Sequence, residues 1–151
     1  MLNKIKKLLV TYREQLLYLI FGGLTTLVAF GISFVLYALW SNQIEQNTYL
    51  IHAVNLLAWT AAVLFAFFTN RKWVFGSSRR GFLPILSEFC GFAGGRVFTL
   101  LLQEAIFFVF FDLLSANEYL IKICAAVLVV ILNYLISRFL VFRKPKSPDS
   151  Q

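Results

Sequence analysis

The stretch LLYLIFGGLTTLVAFGISFVLYALW, Leu16 to Trp40, carries no charged residue. As a helix rising 1.5 Å per residue it extends about 37 Å, more than the ~30 Å hydrocarbon core of a bilayer. It is too long for the apolar core of a secretory leader, and no small-residue cleavage site follows, so it reads as a retained membrane helix. Working outward, a polar loop SNQIEQNT (41–48) leads to a second apolar run, Tyr49–Thr69. A basic stretch NRKWVFGSSRRGFLP (70–84) ends on Pro84, which suits the first turn of a helix. The third run is Ile85–Phe111, the acidic loop DLLSANE (112–118) follows, and the fourth run is Tyr119–Phe142.

Composition agrees. Of 151 residues, 60% are hydrophobic and 14% charged, with a mean hydropathy of +0.77. A water-soluble chain of this length cannot bury so much apolar side chain, so lipid is the expected solvent. The net charge of +7 then points to anionic membrane lipid as a partner and not to nucleic acid. Cys90 and Cys124 form no CxxC and read as small buried hydrophobes.

The cations sort to one side. Lys4, Lys6, Lys7, Arg13, Arg71, Lys72, Arg79, Arg80, Arg143, Lys144 and Lys146 flank alternate ends of the four runs, against Lys122 with Glu45, Asp112 and Glu118 at the other. The positive-inside rule therefore puts both termini and the central loop in the cytoplasm, and Trp40, Tyr49, Trp73 and Tyr119 at the interfaces. Residues 1–15 read as an interfacial amphipathic helix, with Ile5, Leu8, Leu9, Tyr12 and Leu16 on one face. Residues 16–144 form the membrane domain, and the polar tail 145–151 reads as disordered.

The membrane domain contains a repeat. Aligning Phe65–Phe75 with Leu132–Phe142 pairs Arg71 with Arg138, Val74 with Val141, Phe75 with Phe142, and Asn70 with Ser137. Gly22–Gly23 in the first run and Gly94–Gly95 in the third agree loosely. The expected fold is all-α and integral to the membrane: four transmembrane helices arranged as two parallel-repeat hairpins, 16–75 and 84–142.

Polar residues inside the runs are the candidate site. Arg71 and Arg138 lie about 6 Å inside their span ends. They read either as snorkelling side chains or as a pair suited to lipid phosphate, which a guanidinium grips with two donors. Arg96 lies about 18 Å into the third run, where insertion costs about 2.5–3.5 kcal/mol, so it requires a structural ion pair or a functional polar site. Glu88 and Glu104 sit eight residues to either side, too far for an intrahelical pair. Gln103 shares the face of Arg96, and Asn133 is placed to hydrogen-bond across helices. With Asn70, Asn55, His52 and Lys122 they form a candidate polar pathway. The glycines read as close-packing positions. No metal cluster, cofactor fingerprint or catalytic constellation is present, so the chain is not expected to be an enzyme.

YLIFGGLTT, FFTNRKWVF and NYLISRFLVF resemble the GtrA-like family of small four-helix membrane proteins, over about residues 15–144. EFCGFAGGRVFTLLLQE is similar to the Gram-positive branch concerned with cell-wall polysaccharide and teichoic-acid glycosylation. Ser137 stands where many relatives carry Asn. The resemblance implies flipping of a polyprenyl-phosphate-linked monosaccharide, such as an undecaprenyl-phosphate sugar, across the plasma membrane of a bacterium. It implies as the alternative a non-transporting anchor or scaffold for a membrane glycosyltransferase. Four helices make a thin wall around a long lipid, so a homo-oligomer is expected. A small multidrug-type antiporter has a similar size but needs an acid in its first span, which this chain lacks.

Overall fold

Inside a bilayer no water is available to backbone N–H and C=O groups, so each spanning segment must satisfy its own, and the helix is the structure that does so. The computed structural model, which describes residues 10–46, 49–113 and 118–143, is helical in every long element and has no strand among them. Four helices are long and apolar enough to cross a membrane: 13–41, 49–74, 82–110 and 118–141. The apolar exterior supports that reading, with Phe30, Phe34 and Leu140 each at least 70% exposed. Such a surface is tolerated in lipid and not in water. Even the spans' hydroxyls are met locally: Thr25, Thr60 and Thr69 donate to the carbonyls four residues earlier at 2.7–2.8 Å.

The chain falls into two compact units, residues 1–76 and 77–151. In the first, helix α1 (Arg13–Gln46) packs against α2 (Tyr49–Thr69). The pairs Phe21–Trp73 and Tyr37–Asn55 give the antiparallel register of a hairpin. At 34 residues α1 is longer than the membrane needs, and non-helical angles at Trp40 (φ −117°, ψ 20°) kink it. Backbone bonding already runs back to Tyr12, whose carbonyl accepts from the Leu16 N–H at 2.9 Å. The rest of the expected interfacial helix, residues 1–9, lies outside the described residues, as do Lys144, Lys146 and the tail. The side chains of Glu45 and Asp112 likewise lie outside the described part of the structure.

The second unit is the hairpin of α3 (Phe82–Phe107) and α4 (Glu118–Ile136). Here Phe92 meets Phe142, and Thr99 meets Asn133, again antiparallel. Two of the candidate packing glycines sit at this seam. A Cβ on Gly95 would lie 2.7 Å from Ile136 Cγ2, and one on Gly91 would lie 3.4 Å from Val141. Gly22, Gly23 and Gly94 have nothing within 4 Å of such a position, so close packing is not their role among the described residues.

Three findings refine the sequence reading. The basic stretch is shorter than expected, because helix continues through Val74 and resumes at Phe82. Asn70, Arg71 and Lys72 are thus helical. Long cationic side chains allow this, since their heads reach water from a helix end. Cys90 and Cys124 are exposed on the outside of the chain and not buried in it. Trp40, Tyr49, Trp73 and Tyr119 are all exposed near helix ends, as interfacial aromatics should be.

Candidate functional site

The two segments singled out by the internal repeat end in the same local geometry. Each helix passes into a π turn, Asn70–Val74 after α2 and Ser137–Val141 after α4. The Phe75 N–H donates to the Asn70 carbonyl at 2.9 Å, and the Phe142 N–H donates to the Ser137 carbonyl at 2.8 Å. The residues paired by sequence, Asn70 with Ser137 and Phe75 with Phe142, therefore open and close equivalent turns. The closing phenylalanines also pack alike, Phe75 on Tyr18 at 6.3 Å and Phe142 on Phe92 at 5.9 Å between ring centroids. A π turn carries one residue more than an α turn and recurs at functional sites.

Asn70 is fully buried, and its amide nitrogen donates to the Ala66 carbonyl at 2.7 Å. Its Oδ1 is enclosed with no hydrogen bond among the described residues. Arg71 follows it, half-buried. In the other turn Ser137 is buried and Arg138 exposed. Arg138 donates from Nη1 to the Tyr134 hydroxyl at 2.5 Å, and its guanidinium sits 5.4 Å from the Phe139 ring centroid. An arginine laid on aromatic faces keeps its charge while losing little water.

Glu88 is a buried acid in the second unit, with a side chain only 1% exposed. The Ser77 hydroxyl donates to its Oε1 at 2.5 Å, and Arg79 Nε lies 3.7 Å from the same oxygen. The Arg79 N–H in turn donates to Ser77 Oγ at 3.5 Å. A buried carboxylate needs partners of this kind. The loop that supplies them is bounded by Gly76 (φ +57°) and Gly81 (φ +97°), left-handed conformations that a glycine adopts without strain. Glu88 thus organises the 76–81 loop.

Arg96, eight residues further along α3, is half-buried, with its guanidinium carbon 4.9 Å from the ring centroid of buried Phe92. Thr99 binds across the hairpin: its hydroxyl lies 3.0 Å from both Asn133 Oδ1 and the Arg96 carbonyl, to which it donates. In the first unit Asn55 Oδ1 accepts from the Tyr37 hydroxyl at 3.2 Å, and His52 is exposed. At the far end of the α3–α4 hairpin, Gln103, Glu104 and Lys122 line one pocket of about 340 Å³ with Phe107, Glu118 and Ala125. Lys122 is ion-paired to Glu118 four residues earlier.

Sequence reasoning missed several partners: Ser77 and Arg79 for Glu88, Thr99 for Asn133, Tyr37 for Asn55, and Tyr134 for Arg138. The last is an i, i+4 pair and was readable from spacing. The others join separate segments, and only the fold brings them together. Among the described residues no group of three or more His, Cys, Asp and Glu is placed to hold a metal.

These features define a multi-pass α-helical membrane protein whose candidate spans carry charged and polar groups. The GtrA/DPMS transmembrane domain matches residues 17–142, and the chain belongs to that family. It is 36% identical over 152 residues to the cell wall teichoic acid glycosylation protein GtcA of Listeria monocytogenes, covering 96% of this chain and all of the relative. The GtcA of Listeria innocua is 34% identical over 131 residues, 87% of this chain and 86% of the relative. The membrane protein YwcD of Bacillus subtilis is 29% identical over 130 residues, 86% and 97%. No solved structure is significantly similar to the chain.

Proposed function

We propose that this protein flips a polyprenyl-phosphate-linked monosaccharide across the bacterial cytoplasmic membrane to supply teichoic-acid glycosylation. The observation that carries the reading is the paired π turns, each with an arginine as its second residue, in a chain whose relatives are named for that process. Both termini and the 76–81 loop face the cytoplasm, by the asymmetry of the cations. Arg71 and Arg138 then recruit the lipid phosphate from the inner leaflet, each guanidinium offering planar donors to two oxygens. Arg96 lowers the cost of carrying that charge through the midplane, where an uncompensated anion is most expensive. Asn70, Asn133 and Asn55 offer hydrogen bonds along the way, and exposed His52 lies at the outer end. The protein acts as a homo-oligomer, because four helices alone form a thin wall around a long lipid.

The test is reconstitution. Arg96→Ala and Arg138→Ala variants in proteoliposomes should move labelled lipid-linked sugar at least about tenfold more slowly than wild type, as for loss of a charge-assisted contact. Wild-type rates in both variants would overturn the mechanism.

A second reading, a scaffold that docks a glycosyltransferase, is favoured by one observation. The basic 76–81 loop is fixed by Glu88 while Arg80 remains exposed, as a docking surface requires. It predicts co-purification with a transferase that is lost in Arg80→Glu, and no flipping by the isolated protein.

A further inference from the structure

The pocket at the α3–α4 end away from Glu88 has a chemistry of its own. Glu104 lies 16 residues beyond Glu88, about 24 Å along α3. The pocket's volume of about 340 Å³ is near the lower bound of ligand sites, roughly 300 Å³, and fits one small molecule better than a lipid tail. Its charged lining is two carboxylates, Glu104 and Glu118, and one ammonium, Lys122, a formal total of −1. The ammonium is already held by Glu118 and lies 5.6 Å from the Phe107 ring centroid. Glu104 is exposed, and its carboxylate makes no hydrogen bond or ion pair among the described residues.

That combination disfavours an anion and suits a polyol. A carboxylate accepts from hydroxyl groups, and a carboxamide such as Gln103 both donates and accepts, so neighbouring hydroxyls of one ring can be met together. A phosphate or an acidic sugar would face an unneutralised carboxylate, and like-charge contacts cost several kcal/mol. We infer that this pocket binds the sugar ring of the cargo, as a neutral or amino monosaccharide, and rejects acidic sugars. The inference rests on the sugar-bearing cargo proposed above, and it gives Lys122 a place beside the sugar ring.

Full-length protein in nanodiscs tests it by saturation-transfer NMR with methyl glucoside, glucosamine and glucuronate as probes. Methyl glucoside and glucosamine should receive saturation, and glucuronate about tenfold less. Glu104→Gln should narrow that gap at least threefold, and Gln103→Leu should reduce methyl-glucoside saturation at least threefold, about 0.7 kcal/mol. Both residues are exposed, so unchanged helicity and elution volume are expected of the variants. Equal saturation of all three probes, no saturation of any, or variants indistinguishable from wild type would overturn the pocket. Flipping by wild-type proteoliposomes is scored separately. Glycoside binding without flipping sinks translocation and leaves the pocket standing; flipping without glycoside binding does the reverse.

Discussion

Replacing Gly95 by Ala should weaken the second hairpin in a way its neighbour Gly94 does not share. The added methyl would sit 2.7 Å from Ile136 Cγ2, 3.8 Å from Cβ and 3.9 Å from Cδ1. Carbon atoms rest at about 3.5–4.0 Å, so the closest contact is about 1 Å too short. Cγ2 is bonded directly to Cβ of a β-branched side chain with one strongly preferred helical rotamer, so it cannot swing aside cheaply. Relief must come from spreading α3 and α4, and overpacking of this kind costs typically about 1–3 kcal/mol. Against it stands the gain of replacing a mid-helix glycine, up to about 1 kcal/mol. At Gly94 only the gain applies, because nothing lies within 4 Å. Reversible unfolding in mixed detergent micelles should therefore show Gly94→Ala neutral or up to about 1 kcal/mol more stable, and Gly95→Ala less stable by up to about 2 kcal/mol net. Introducing Gly95→Ala into an Ile136→Ala background should remove the penalty, since the clashing methyl is gone. If Gly95→Ala were as stable as Gly94→Ala in both backgrounds, the close approach of the two helices would be refuted.

Three further outcomes follow from the polar contacts. Ser77→Ala removes the 2.5 Å donor to buried Glu88 and should cost about 1–3 kcal/mol in the same unfolding assay, whereas Ser78→Ala, at an exposed position, should be within ~0.5 kcal/mol of wild type. A double-mutant cycle of Thr99→Val with Asn133→Leu should return a coupling of about 0.6 kcal/mol, and at most ~1.7, as for other membrane-embedded hydrogen bonds. Glu118→Ala should change stability by no more than about 0.5 kcal/mol, because its pair with Lys122 is exposed on both sides, at 42% and 59%.

The four spans were legible because lipid acts on whole segments: a run such as Leu16–Trp40 needs no partner to identify it. Their ends were less so. The third helix starts at Phe82 and not Ile85, since a positive-φ glycine at 81 precedes it and two apolar residues extend it at no cost. Arg71 and Lys72 looked like the start of a loop and are helical, because residue type does not report backbone path where a charged head can reach water. In the site, the alignment of Arg71 with Arg138 was readable from the repeat, and Arg96 stood out as a charge within an apolar run. The Ser77–Glu88–Arg79 cluster was not, because 11 residues separate Ser77 from Glu88 and the turn between them decides the meeting. The π turns left no mark in residue type, yet the repeat had already aligned the residues that open and close them.

Those turns bear on length as well as on shape. A π turn is a helix with one residue in excess, so dropping a single residue between Thr69 and Phe75 would let the ladder run on with α spacing. The remainder of the segment would be rotated by about 100° about the helix axis. Phe75 would leave Tyr18, and Trp73 would leave Phe21, on which it now stacks at 5.4 Å. The chain would keep its span, its charge and nearly its whole composition while aiming its basic end elsewhere. At these two places a one-residue gap between relatives marks a change of direction that a substitution count would pass over.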